Sequence, residues 1–202
     1  MWRALPLSAG MVEPTRHAAG SDADLMRRFA AGEALAFDAL YQRYELRVFR
    51  YLLRNLRDRA LAEDLLQDIW FAVAREASRY EPRSPFSAWL FRIAHNRMID
   101  AIRAARPEVS LELVTSDAAA CESLLPSVAG PYAEAVASEE LAAVLAALAQ
   151  LPEEQCQAFL LQQEGDLSTE DIAAVMGCPF ETAKSRLRYA RARLRELLRG
   201  SP

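Results

Sequence analysis

A chain of 202 residues with 52% hydrophobic content is long enough for one or two small domains with real cores. Its formal net charge of -4 argues against indiscriminate binding to nucleic acid. Cys121, Cys156 and Cys178 lie far apart with no paired spacing near a histidine, so neither a disulfide framework nor a zinc site is indicated, and no metal or cofactor is expected.

Residues 1–21 read as a mobile N-terminal tail. Arg3, Glu13, Pro14 and Arg16 leave no apolar core of signal-peptide length, and Met11 is an alternative start. No stretch approaches the length of a membrane span, so a cytoplasmic chain without membrane insertion is expected. Only seven glycines and few alternating apolar–polar runs predict an all-α fold.

A first helical block covers residues 22–106. Phe37, Leu40, Tyr41, Tyr44, Val48 and Tyr51 follow helical spacing, as do Leu61, Leu65, Ile69 and Val73 after a turn at Asn55 to Asp58. A third helix is expected after Ser84-Pro85, where Ser can cap and Pro suits a first turn, with Leu90, Ile93, Ala94, Met98 and Ala101 facing inward. This block is basic, with 15 Arg against ten acids between Leu25 and Arg106.

Residues 107–138 have a different texture. They are rich in Ala, Ser, Pro and acids, and Pro107, Pro126, Gly130 and Pro131 break any periodicity, which predicts a flexible acidic linker. A second block, 139–200, follows with helices near 139–150, 152–163, 169–176 and 180–198. Pro152 with Glu153 and Glu154 marks a helix restart, because acids suit the positive end of a helix.

The end of this block has the grammar of a helix-turn-helix. Ser168 followed by Asp171 resembles a capping box, Gly177 stops the short helix, and Pro179 opens the next. Along that helix Ala183, Leu187, Ala190, Leu194 and Leu197 recur at inward spacing. Thr182, Lys184, Ser185, Arg188 and Arg191 are left outward or flanking, where a recognition helix meets the major groove. Charge placement agrees: Pro107 to Ala183 holds 14 acids and no Lys or Arg, whereas Lys184 to Arg199 holds seven basic residues against one Glu. That clustering predicts contact with DNA.

Three motifs now stand in order: Ala62-Glu63-Asp64-Leu65-Leu66-Gln67-Asp68-Ile69-Trp70, then Phe86-Ser87-Ala88-Trp89-Leu90-Phe91-Arg92-Ile93-Ala94-His95-Asn96-Arg97-Met98-Ile99-Asp100, then Leu151-Pro152-Glu153-Glu154 through the helix-turn-helix. Together they resemble the sigma factors of bacterial RNA polymerase, specifically the small extracytoplasmic-function group. The resemblance implies two small helical domains, a sigma region 2 bundle at 22–106 and a region 4 helix-turn-helix at 139–200, joined by the linker.

It also implies roles. Asp64, Gln67, Asp68 and Phe71, at helical spacing on one face, would meet the clamp helices of the polymerase β′ subunit; Asp68 and Trp70 stand where the family more often has Glu and Phe. Tyr80, Arg83, Ser84 and Phe86, in the loop and helix start where the family forms its pocket for a flipped base, would act with Trp89, Arg92, Asn96 and Arg103 on the minus-10 element. Stacking on aromatic rings with Arg on phosphates is how unpaired bases are held. Phe86 and Trp89 fit a core position equally well, and His95 reads as a packing or surface residue.

Thr182, Lys184, Ser185, Arg186, Arg188 and Arg191 would serve the minus-35 element. Phe180-Glu181-Thr182-Ala183 replaces a common Gly-Thr-Val, and Glu181 either accepts from a cytosine amino group or caps the helix. The implied partners are core RNA polymerase, promoter DNA and an anti-sigma factor. The rival reading is a stand-alone helix-turn-helix regulator whose N-terminal domain senses a ligand or dimerises. An enzyme finds no support in a clustered Cys/His set, a phosphate-cradling Gly loop or a nucleophile paired with a base.

Overall fold

The computed structural model describes residues 20–82, 84–105 and 142–199; the expected linker, nearly all of the expected tail, and Arg83 lie outside the described residues. Within them the chain is helical. In order come α1 (Asp22–Ala30), α2 (Ala34–Leu56), α3 (Arg59–Glu76), a single 3-10 turn (Ala77–Arg79), α4 (Phe86–Ala105), α5 (142–149), α6 (Glu153–Gly165), α7 (Thr169–Met176) and α8 (Phe180–Arg199).

Local chemistry sets most of these boundaries. Ser21 caps α1 by accepting from the Asp24 amide, and Asp58 caps α3 by accepting from the Leu61 amide. Helix α2 ends on Arg57 in the left-handed conformation, at φ 57°, and α7 ends on Gly177 at φ 61°; the Gly177 position is open to glycine at little conformational cost. Ser168 caps α7, its hydroxyl accepting from the Asp171 amide and donating to the Asp171 carboxylate.

Pro85, Pro152 and Pro179 each stand one residue earlier than a first-turn placement. Their carbonyls accept the first bonds of α4, α6 and α8, from Trp89, Cys156 and Ala183. A fixed φ and no spare N–H suit that position as well as the first turn. One element went unforeseen: α1 precedes the first periodic run and buries Leu25 and Met26 against α2.

Two packing units result. In the first, α1, α2, α3 and α4 enclose Leu40, Val48, Tyr51, Leu52, Ile69, Leu90, Phe91 and Met98, all fully buried. In the second, α6, α7 and α8 enclose Leu160, Leu161, Ile172 and Ala183. The units touch, with α6 against α2 and α7 against α4.

Candidate nucleic-acid and polymerase interfaces

On α3 the apolar row Ala62, Leu65, Leu66 and Ile69 faces the core, and helical geometry turns Asp64, Gln67, Asp68 and Phe71 to solvent. Phe71 is 73% exposed, the largest exposure of any big hydrophobic side chain described. An aromatic ring standing in water beside two carboxylates suits docking on a protein that offers an apolar pocket and cations. Trp70 points the other way. Its ring meets Tyr41 at 5.0 Å and Phe37 at 5.6 Å, so the Trp at this position is accommodated by the core.

The loop after the 3-10 turn and the start of α4 form an aromatic cluster. Trp89 and Tyr80 lie edge to face at 5.1 Å, Phe86 lies 5.7 Å from Trp89 and 6.0 Å from Tyr80, and Tyr44 of α2 packs on Phe86 at 5.3 Å. Tyr80 and Trp89 are half-buried, but Phe86 is only 3% exposed. Enclosed on several sides, Phe86 forms the floor on which Tyr80 and Trp89 rest. That burial matches the core position noted for it.

Two members of this cluster were not anticipated. Tyr44 donates its hydroxyl to Asp22 at 2.5 Å, and Asp22 also pairs with Arg43, so the start of α1 braces the cluster from behind. Burial, then the bond to Asp22, pushes the Tyr44 hydroxyl well above its ordinary range and keeps it a donor. Tyr44 had been visible only as one more position in an apolar row; its polar tip had no partner nearby in sequence. The Tyr80 hydroxyl is buried with no hydrogen-bond partner among the described residues.

Further along α4, Arg92, Asn96 and Arg103 are exposed, with Arg103 held loosely by Asp100 at 3.9 Å. Ser84 is exposed ahead of the helix. His95 faces inward, sharing a 2.8 Å hydrogen bond with the Tyr51 hydroxyl, and burial lowers its pKa to about 4. It is a neutral packing residue, as read.

Helix α8 buries Ala183, Leu187, Ala190 and Leu194 and presents its cations outward. Lys184 sits 3.4 Å from both Glu181 oxygens and over the Phe180 ring, an exposed and weak arrangement. Arg188 is exposed, stacked over Tyr189 at 4.8 Å. Ser185 donates to the Thr182 carbonyl at 2.9 Å, and Arg191 to Gln162 at 2.5 Å. Arg186 differs from the rest. Its guanidinium pairs with Glu154 of α6 at 2.5 Å and its side chain is only 17% exposed, so the structure turns it toward α6 and away from the outward face.

An all-helical chain with a helix-turn-helix at one end and a half-buried aromatic cluster flanked by exposed Arg and Asn at the other has the build of a DNA-binding transcription factor. Residues 40–108 match the model of Sigma-70 region 2, and residues 141–194 match that of Sigma-70, region 4. The RNA polymerase sigma factor CarQ of Myxococcus xanthus is 36% identical over 173 residues, which span 86% of this chain and 95% of that protein. The ECF RNA polymerase sigma factor SigM of Mycobacterium tuberculosis is 34% identical over 181 residues, 88% of this chain and 85% of that one. Among solved structures, the sigma factor RpoE in complex with the anti-sigma factor NepR from Bartonella quintana superimposes with a TM-score of 0.63 at 27% identity, covering 82% of this chain and 98% of that one.

The chain belongs to the sigma factors of RNA polymerase, in the extracytoplasmic-function group. Its function is to direct transcription initiation, and membership of this family favours that over the stand-alone regulator. No helix among the described residues is long and apolar enough to cross a membrane.

Proposed function

We propose that this sigma factor docks on the clamp helices of the polymerase β′ subunit through Asp64, Gln67, Asp68 and Phe71. Its first domain, over residues 22–106, then captures unpaired minus-10 bases between Tyr80 and Trp89, with Arg83, Ser84, Arg92, Asn96 and Arg103 on the strand. Its second, over 139–200, reads the minus-35 duplex with Thr182, Lys184, Ser185, Arg188 and Arg191, while Arg186 holds the recognition helix on α6. Residues 107–138 tether the two, so that binding at one element raises the effective concentration at the other. The polymerase carries the chemistry of RNA synthesis; this chain acts in the cytoplasm as a selector and not as an enzyme.

One observation carries the reading: Phe71 stands exposed at the end of a polar row that holds Asp64, Gln67 and Asp68, on a helix whose opposite face is packed. A solvated face gains nothing from such a ring, whereas a docking face does. The resemblance to a sigma factor solved with its anti-sigma partner supports an anti-sigma partner for this chain as well. Titration of core polymerase with the labelled chain tests the docking face. Asp64→Ala and Phe71→Ala are expected to weaken assembly about 10-fold or more while leaving helix content unchanged. Unchanged affinity in both would remove the assigned face.

A further inference from the structure

Helix α2 carries Arg47, Arg50 and Arg54 at steps of three and four, which places them along one face, and Arg57 follows as its C-cap. Helices α6 and α5 cover that face in the opposite direction. Arg47 donates to the Glu164 carbonyl at 2.6 Å, Arg50 and Arg54 to the Glu164 carboxylate at 3.0 and 2.5 Å, and Arg57 to the Ala149 carbonyl at 2.9 Å. Glu164 is 4% exposed, the one buried carboxylate among the described residues.

A buried carboxylate is tolerated when it is paired, and both salt bridges to Glu164 come from the other domain. Its burial therefore makes physical sense only while the two domains are together. Arg47 also stacks over the Tyr44 ring at 5.3 Å, so the contact extends to the aromatic cluster of the minus-10 site.

The closed arrangement conflicts with reading both elements at once. A chain of this size packed as one body is roughly 40 Å across. Elements named for positions about 25 nucleotides apart lie roughly 85 Å apart at about 3.4 Å per step. The roughly 36 residues between Ala105 and Ala142 can reach on the order of 120 Å when extended, enough for the domains to part.

We propose that Glu164, gripped by Arg50 and Arg54 and flanked by the carbonyl contacts of Arg47 and Arg57, is a latch that keeps the free sigma factor closed. The closed form cannot span a promoter, and assembly on polymerase must open it. The consequence for promoter reading rests on the function proposed above; the latch itself does not.

Cys156 provides a native probe. It lies two turns before Glu164 on the same side of α6, it is buried, and burial pushes its thiol up to about 11; Cys178, in the helix-turn-helix turn, is half-buried. Alkylation of the full chain by iodoacetamide, followed by peptide mass spectrometry, reads the two thiols separately. In the unsubstituted chain Cys156 is expected to react much more slowly than Cys178.

The double variant Arg50→Ala/Arg54→Ala, and separately Glu164→Gln, are expected to speed Cys156 by on the order of 10- to 100-fold with Cys178 nearly unchanged, the loss of a charged hydrogen bond converted to a population ratio. Should the double variant lose helix content by circular dichroism, the near-isosteric Glu164→Gln carries the readout. Faster Cys156 alkylation supports the latch. An unchanged rate in folded variants, or a Cys156 as reactive as Cys178 from the start, overturns it even if the chain assembles normally with core polymerase; failure to assemble would sink the proposed function and leave the latch standing.

Discussion

The two regions proposed to face DNA are built in different ways. The proposed minus-10 site assembles parts of α1, α2, the 3-10 turn and α4 around Phe86, so its exposed members rest on buried rings and on the Asp22 to Tyr44 bond. The proposed minus-35 site is one helix whose Lys184 and Arg188 reach into water, steadied by neighbours on the same turn. A surface that must hold an unpaired base needs preorganised walls, whereas a helix entering a duplex groove needs only the right side chains at its front. Substitutions in the first region should therefore cost stability together with function, and substitutions in the second should cost binding alone.

The largest effect should come from Phe86→Ala. Removing a ring with 3% exposure is expected to cost about 3–5 kcal/mol of stability, measured by thermal or denaturant unfolding, and to abolish promoter melting. A loss of melting with full stability would show that Phe86 itself touches DNA. At the other site, Arg188→Ala should weaken binding to minus-35 DNA by about 1–3 kcal/mol with the melting temperature unmoved. A comparable fall in stability would erase the contrast between the sites.

Acid provides a third test. The His95 pKa is lowered from 6.5 to about 4, so the unfolded chain binds the proton more readily. Stability is fully present above about pH 6.5 and is lost as pH falls toward 4, by roughly 2 kcal/mol at pH 5. His95→Gln should flatten that slope; an unchanged slope would assign it to other groups. The smallest effect belongs to Ser168→Ala, which removes the cap of α7 and should cost about 1 kcal/mol in unfolding experiments, with DNA contacts intact.

What could be read in the sequence was mostly local. The Ser168 cap, the Gly177 stop and the inward row of α8 depend on residues within a few positions of one another, and helix α7 falls on the predicted residues. The exposed polar face of α3 was legible for the same reason. What escaped depends on contacts distant in the chain: Tyr44 meets a carboxylate 22 residues away, and Arg54 meets one 110 residues away. Phe86 and Trp89 differ in burial although they stand three residues apart, and spacing alone does not tell which ring of a pair turns inward. Arg186 resembled its neighbours until Glu154, from another helix, was seen to hold it.

The most direct test of the whole account is reconstitution of purified chain with core polymerase, followed by initiation assays on genomic DNA fragments. Specific transcripts that start only when both factor and core are present, and that weaken when either the minus-35 or the minus-10 element is changed, are the expected result. Tight binding to duplex DNA by the chain alone, with no association with core polymerase and no specific start sites, would contradict it.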